Sequence, residues 1–197
     1  MTGQLLTDPA MQQLFTEART HNAWRPEPVS PELLKKVYDL AKFGPTSANC
    51  CPLRIVFVQS EKAKARLKPA LAETNAEKTM AAPVTAIMAQ DMKFYEHLPF
   101  LFPHADAKAW FEGNAPLIAE TAMRNSSLQG AYFMMAARAC GLDCGPMSGF
   151  DQEKVNLEFF KGTSFKSNFL CNLGHGDAAK LFPRSPRFEF EGVCQIL

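Results

Sequence analysis

Several signatures are missing from this 197-residue sequence, and each absence removes a class of function. No apolar run approaches the roughly 18 residues needed to cross a bilayer. Met1 to Ala10 lacks the basic start and apolar core of a secretory leader, so a cytoplasmic protein is expected. The net charge is only +1, which argues against nucleic acid or an anionic membrane as the main partner. The six cysteines, Cys50, Cys51, Cys140, Cys144, Cys171 and Cys194, show no CxxC spacing, so neither zinc nor a disulfide framework is indicated. There is no GxSxG elbow for a serine hydrolase, no Walker A loop and no GxGxxG fingerprint. Any use of NAD(P)H must do without that fingerprint. Four histidines offer little for a metal. His97 and His104, with Asp106 nearby, lie in a proline-broken segment and are read as surface residues, so no metal site is expected.

What is present suits one globular domain spanning 1–197, with 47% apolar and 21% charged residues. Thr7-Asp8-Pro9 predicts a helix start, followed by Met11, Leu14, Phe15 and Ala18 at helical spacing. Ser30-Pro31 opens a second helix with Leu33, Leu34, Val37, Tyr38 and Ala41 on its apolar face. Gly44-Pro45 is expected to end it, the glycine as a left-handed cap. Residues 54–58 and 84–89 are short apolar runs, which predicts buried strands in a sheet covered on both faces. A helix over 61–71 lies between them. Residues 91–111 read as short helices around a loop. The longest helical pattern, 118–140, carries the stripe Ala122, Leu128, Ala131, Met135 and Ala139. From Gly130 to Ala137 it is apolar almost all round, which predicts a central buried helix. A strand at 142–144, a helix from the Asp151 cap to about 160, a strand at 168–173 and an extended tail from Pro183 complete the chain. Phe188, Phe190 and Val193 are available to dock. The order of elements gives an α+β fold of mixed layers.

Polar and small residues gather at element ends: Arg19 to Asn22, Thr46 to Asn49, Asn75 and Lys78, Gly145 to Gly149, and Arg184 with Arg187. Turn residues commonly serve only the turn. Together, however, these types suit a flavin nucleotide, whose phosphate takes guanidinium donors. Its ring takes amide and hydroxyl partners, a cation near N1, and a glycine-containing turn near N5.

The segments ARTHNAW (18–24), GPTSANCCP (44–52), NAEK (75–78), GLDCGPMSGFD (141–151) and PRSPR (183–187) resemble, in order and over nearly the full length, the nitroreductase-like FMN oxidoreductases. RTHNAWRPEPVS, GPTSANC, LFPHADAKAWF, RNSSLQGAY and GPMSGFD narrow the resemblance to the branch containing malonic semialdehyde reductase of uracil degradation. The resemblance implies a central mixed sheet flanked by helices and an intertwined homodimer with two shared FMN sites. It also implies ping-pong hydride transfer from NADH or NADPH through flavin N5. The acceptor would be malonic semialdehyde, reduced to 3-hydroxypropionate, or a nitro or quinone compound; a non-catalytic flavin-binding protein is the third possibility. Carried over by position, Arg19, Thr20 and Asn22 form the first flavin-binding segment. Asn22 stands where relatives have a basic residue, which leaves Lys78 as the cation near N1. Pro45, Thr46, Ser47 and Asn49 form the second segment. Asn75 is the amide for the ring edge, and Pro146, Met147, Ser148 and Gly149 pass beneath the ring. Ser148 replaces a frequent glutamate. Arg184 and Arg187 would take the phosphate. His104, Trp110 and Phe111 are candidates for a lid over the acceptor, with Arg124 and Lys108 for its carboxylate.

Overall fold

The computed structural model describes residues 3–197 and has one α+β architecture. Helix α1 (Asp8–Met11) continues as a π-helical turn over Gln12–Thr16. Then follow α2 (Pro31–Ala41), β1 (Leu53–Val58), α3 (Glu61–Leu67), α4 (Glu73–Ala81), β2 (Val84–Asp91), α5 (Leu98–Leu101) and α6 (Ala115–Ala139). The chain closes with β3 (Asp143–Met147), α7 (Gln152–Phe159), β4 (Phe165–Gly174) and α8 (Phe190–Val193).

The four strands lie in the order β1-β2-β4-β3. Every neighbouring pair is antiparallel, which corrects the expected mixed sheet. Among the described residues the single parallel contact is an isolated bridge between Thr20 and Cys144. The apolar run of β2 has a different cause from parallel pairing. Helices cover both faces, so all eight of its residues are buried.

The strand period of two divides the core. Val84, Ala86 and Met88 meet Leu34 and Val37 of α2 and Phe133 and Ala137 of α6. Ile87 and Ala89 face the other way, toward Leu67 of α3 and Val155 of α7. Each fully buried Val, Leu, Ile, Met or Phe among these contributes about 1.5–3 kcal/mol. A third cluster joins Phe94, Leu98, Ala107 and Phe111 to Ala122 and Cys50, roofing one end of α6.

Local cap chemistry sets the starts of four of the eight α-helices among the described residues. Ser30 Oγ accepts from Leu33 N, Ser60 Oγ from Ala63 N, and Asp151 Oδ1 from Lys154 N. Asn114 does the same for α6, accepting from Leu117 N at 3.2 Å, so that helix begins before the expected Ile118. Thr7 makes no such cap bond.

Other expectations need correction. The first helix is short and buries nothing, with Met11 and Phe15 exposed. Of the expected stripe on α6, Ala122 is buried, whereas Leu128, Ala131 and Ala139 face outward. Met123 and Tyr132 widen that exposed face, so α6 is not buried all round. The helix after β1 stops at Leu67 and tightens into a 3-10 turn over Lys68–Ala70, where Pro69 cannot continue it. Helix α4 was not foreseen, because its buried side chains are the polar Asn75 and Thr79. Gly44 is not a left-handed cap. A Cβ there would lie 2.7 Å from the Tyr132 ring, so the glycine admits α6. The left-handed backbone falls instead on Ala48, Asn49 and Cys51.

Candidate cofactor site

The segment 19–22 runs beside β3. His21 N donates to Cys144 O at 3.0 Å and Thr20 bridges to Cys144. This puts Arg19 opposite the C-terminal tail. Arg19 Nη2 donates to Phe182 O at 2.5 Å, and Arg184 Nη2 donates to Thr16 O at 2.7 Å. The two segments enclose a polar pocket of about 250 Å³, lined by Arg19, Thr20, Asn22, Arg184 and Arg187. The structure thus gathers five of the residues expected to serve a flavin. It adds Arg138 from the last turn of α6, which was not foreseen.

The charge pattern of this pocket is one-sided. Of the eight arginines, Arg25, Arg54, Arg66 and Arg124 have carboxylate partners in Glu27, Asp91, Glu158 and Glu120. The remaining four all line the pocket, and among the described residues none has an ion-pair partner. No aspartate or glutamate contributes to the lining. Each unpaired guanidinium has five N–H donors, more than the main-chain carbonyls it meets can occupy.

Asn22 links this pocket to α4. Its Oδ1 accepts from Lys78 Nζ at 3.1 Å. Burial pushes the Lys78 ammonium below its ordinary pKa, since desolvation disfavours the charged form. The α4 backbone beneath it is held from the sheet side. Trp24 Nε1 and Asn172 Nδ2 both donate to Lys78 O, at 3.1 and 3.4 Å. Asn172 also donates to Thr79 Oγ1 and accepts from Thr85 Oγ1. Thr79 Oγ1 in turn lies 3.4 Å from Met147 Sδ. This buried polar chain fixes α4 to β2, β3 and β4; its members Thr79, Thr85 and Asn172 carried no signal in sequence beyond being polar residues among apolar ones.

One turn before Lys78, Asn75 Nδ2 donates to Gly149 O at 2.9 Å. Ala72 N donates to the same carbonyl, and Asp151 N donates to Ala70 O. The exit of β3 is thereby zipped onto the α3–α4 connection. A Cβ at Gly149 would stand 2.4 Å from Asn75 Nδ2, so only glycine allows this approach. Pro146, Met147 and Ser148 then border an open cleft of about 430 Å³ with Ser127 and Met134 of α6.

The turn at 44–49 lies apart from this strip. Ser47 N donates to Asn125 Oδ1 and Asn49 Nδ2 donates to Leu101 O, at 2.8 and 2.9 Å. Thr46 Oγ1 accepts from Cys51 N. Pro45, Ser47 and Asn49 are exposed, and none of them lines the arginine pocket or the cleft at Pro146. Cys50, below the turn, is buried, and desolvation pushes its thiol up to about 11.

The acceptor candidates do not converge. Phe111 is only 5% exposed and packs edge-on to Phe94 with centroids 4.9 Å apart, which makes it core rather than lid. Trp110 and His104 both pack edge-on to Phe102, with Trp110 half-exposed. Arg124 pairs with Glu120 and Lys108 with Glu112, each within one turn of its own helix or loop. His97 lies 3.6 Å from Asp91, not Asp106. Among the described residues there is no group of three or more potential metal ligands, and no helix is long and apolar enough to cross a membrane.

A family model described as the nitroreductase family matches residues 16–175. The chain belongs to the nitroreductase family. It is 65% identical over 191 residues to a protein of Burkholderia lata provisionally named NADH dehydrogenase/NAD(P)H nitroreductase; the match covers 97% of this chain and 98% of the relative. The fold is shared with a provisionally assigned nitroreductase of Exiguobacterium sibiricum solved in complex with FMN, at a TM-score of 0.84 and 20% identity, with both chains fully covered. It is also shared with a nitroreductase family protein of Streptococcus pneumoniae, at a TM-score of 0.82 and 20% identity, covering 95% of this chain and 100% of that one. The family match ends before Arg184 and Arg187, so their place in this nitroreductase rests on the pocket geometry.

Proposed function

We propose that this nitroreductase-family chain binds FMN and acts as an NAD(P)H-dependent oxidoreductase. The carrying observation is the continuous strip from the four unpaired arginines, through Asn22 and Lys78, to Asn75 and Gly149. A dianionic phosphate is the natural counter-ion for guanidiniums that have no carboxylate. Lys78 places a partly desolvated cation where a ring accumulating negative charge is stabilised by it. The Gly149 cradle brings backbone close without a side chain in the way. When bound, FMN supplies the hydride relay between nicotinamide and acceptor; the chain binds it, orients it and tunes its electrostatics.

The working unit in this reading is a homodimer. The turn at 44–49 completes the flavin site of the partner copy, since it presents exposed polar groups away from its own strip. The exposed apolar face of α6 and the exposed Met11, Phe15, Phe188, Phe190 and Val193 are the surface that such a dimer covers. All six cysteines are free, in keeping with a cytoplasmic enzyme.

For the acceptor we propose malonic semialdehyde, reduced to 3-hydroxypropionate, on the strength of the segments RTHNAWRPEPVS, LFPHADAKAWF and GPMSGFD. A broad nitro or quinone reductase is the competing reading, favoured by the name of the Burkholderia lata relative. Steady-state kcat/KM values for the semialdehyde and for a nitroaromatic separate the two. A semialdehyde value no better than the nitroaromatic's removes the narrower assignment. Purified protein should be yellow, and NADH or NADPH should bleach it under anaerobic conditions. Bound flavin that neither nicotinamide bleaches would leave only a binding role.

A further inference from the structure

We infer that Arg138 is a further phosphate ligand of the cofactor pocket, an inference that rests on the flavin reading above. Arg138 sits half-buried in the last turn of α6, far in sequence from both segments that frame the pocket. Its Nη1 donates to Leu14 O at 3.2 Å and to Met135 Sδ at 3.9 Å, which leaves the Nε and Nη2 donors to spare. Its own carbonyl accepts from Gln13 Nε2 at 2.6 Å, which ties the end of α6 to the N-terminal helix. Asp143 shares the adjoining cleft with Arg138. It is engaged elsewhere, accepting from Gly176 N at 2.8 Å and lying 3.4 Å from His21 Nε2. Arg138 is therefore a guanidinium with spare donors, held on a rigid helix, facing a pocket with three other guanidiniums and no carboxylate.

Arg19, Arg184 and Arg187 all stand on irregular segments. Arg138 is the one pocket arginine carried by a long packed helix, so it supplies a fixed point for the anion alongside the other three. A purely structural Arg138, anchoring Leu14, would affect any ligand equally. A phosphate ligand discriminates FMN from riboflavin, which lacks the phosphate.

The test titrates apoprotein with FMN and with riboflavin, in the wild type, R138Q, R138K and the surface control R66Q. R138Q is expected to weaken FMN by about tenfold or more while leaving riboflavin unchanged, as befits one lost charge-assisted contact. R138K should fall between, and R66Q should match the wild type. Equal losses for both flavins, or no loss for either, overturn the inference. A second measurement is independent of the flavin ring. Inorganic phosphate should raise the Tm of wild-type apoprotein and do so less in R138Q; an equal rise in both overturns the inference. A wild type that takes up neither flavin but keeps the Arg138-dependent phosphate shift would defeat the flavin reading and leave the anion site standing.

Discussion

The amide oxygen of Asn22 holds the ammonium of Lys78 at 3.1 Å. A residue that carries no charge thus aims one that does. Burial lowers the pKa of Lys78, because desolvation disfavours its charged form. Between that lowered value and its ordinary 10.5, the unfolded chain binds more protons than the native one, so this group makes stability rise with pH across that window. Below that window the desolvated ammonium costs stability. K78M is therefore expected to raise the Tm of apoprotein while lowering kcat/KM for NAD(P)H by about 100-fold, the scale of losing one aimed electrostatic donor. Paired thermal melts and steady-state kinetics check this; a variant that loses both stability and activity contradicts it.

Gly149 and Asn75 fit closely against each other. The Cβ of G149A must displace the Asn75 amide, which stands 2.4 Å from its ideal position. Flavin affinity should fall by about tenfold, the scale of one lost hydrogen bond with an unpaired partner. Fluorescence titration of FMN reads it, and unchanged affinity would remove Asn75 from the site.

Gly130 of α6 faces Phe169 of β4, whose ring would lie 2.6 Å from an added Cβ. Alanine is favoured over glycine within a helix by about 1 kcal/mol. Overpacking costs about 1–3 kcal/mol. G130A should thus destabilise the wild type yet stabilise an F169L background, and chemical denaturation of the four proteins in a double-mutant cycle tests the sign change.

The outward face of α6 carries Leu128, Ala131 and Tyr132. L128D together with A131E places two buried charges in the proposed dimer interface. Sedimentation should show monomers, and the monomers should release flavin because the 44–49 turn of the other copy is lost. Dimers that persist with full flavin content would refute the shared site.

Features set by a few neighbouring residues were legible in the sequence. Ser30, Ser60 and Asp151 announce their helices because a cap bond spans only three residues. The apolar runs of β1 and β2 announce strands. Strand direction was not legible, because β2 is buried by helices on both faces and such a run reads alike in either pairing. Helix α4 was hidden because it buries Asn75 and Thr79 through hydrogen bonds rather than through an apolar stripe. Gly44 carries the right residue for a cap, yet it answers to Tyr132, far along the chain. In the site, Arg19, Lys78 and Arg184 came from a family pattern. Arg138 did not, since an arginine ending an apolar helix reads as ordinary C-terminal chemistry until its lack of a carboxylate is seen in three dimensions.

The arginine pocket has a mechanical consequence. Arg19 and Phe182, joined by a hydrogen bond, are 163 residues apart, and four unneutralised cations push on the walls they hold together. An anion seated between them converts that repulsion into a reversible crosslink that closes almost the whole chain into one loop. A covalent link across about 100 residues restrains the unfolded ensemble by roughly 4–5 kcal/mol. A bound phosphate acts only in proportion to its occupancy. In the proposed reading, a phosphate bound here fastens the segment at 16–19 to the segment at 182–187, and protection of both segments rises with FMN occupancy.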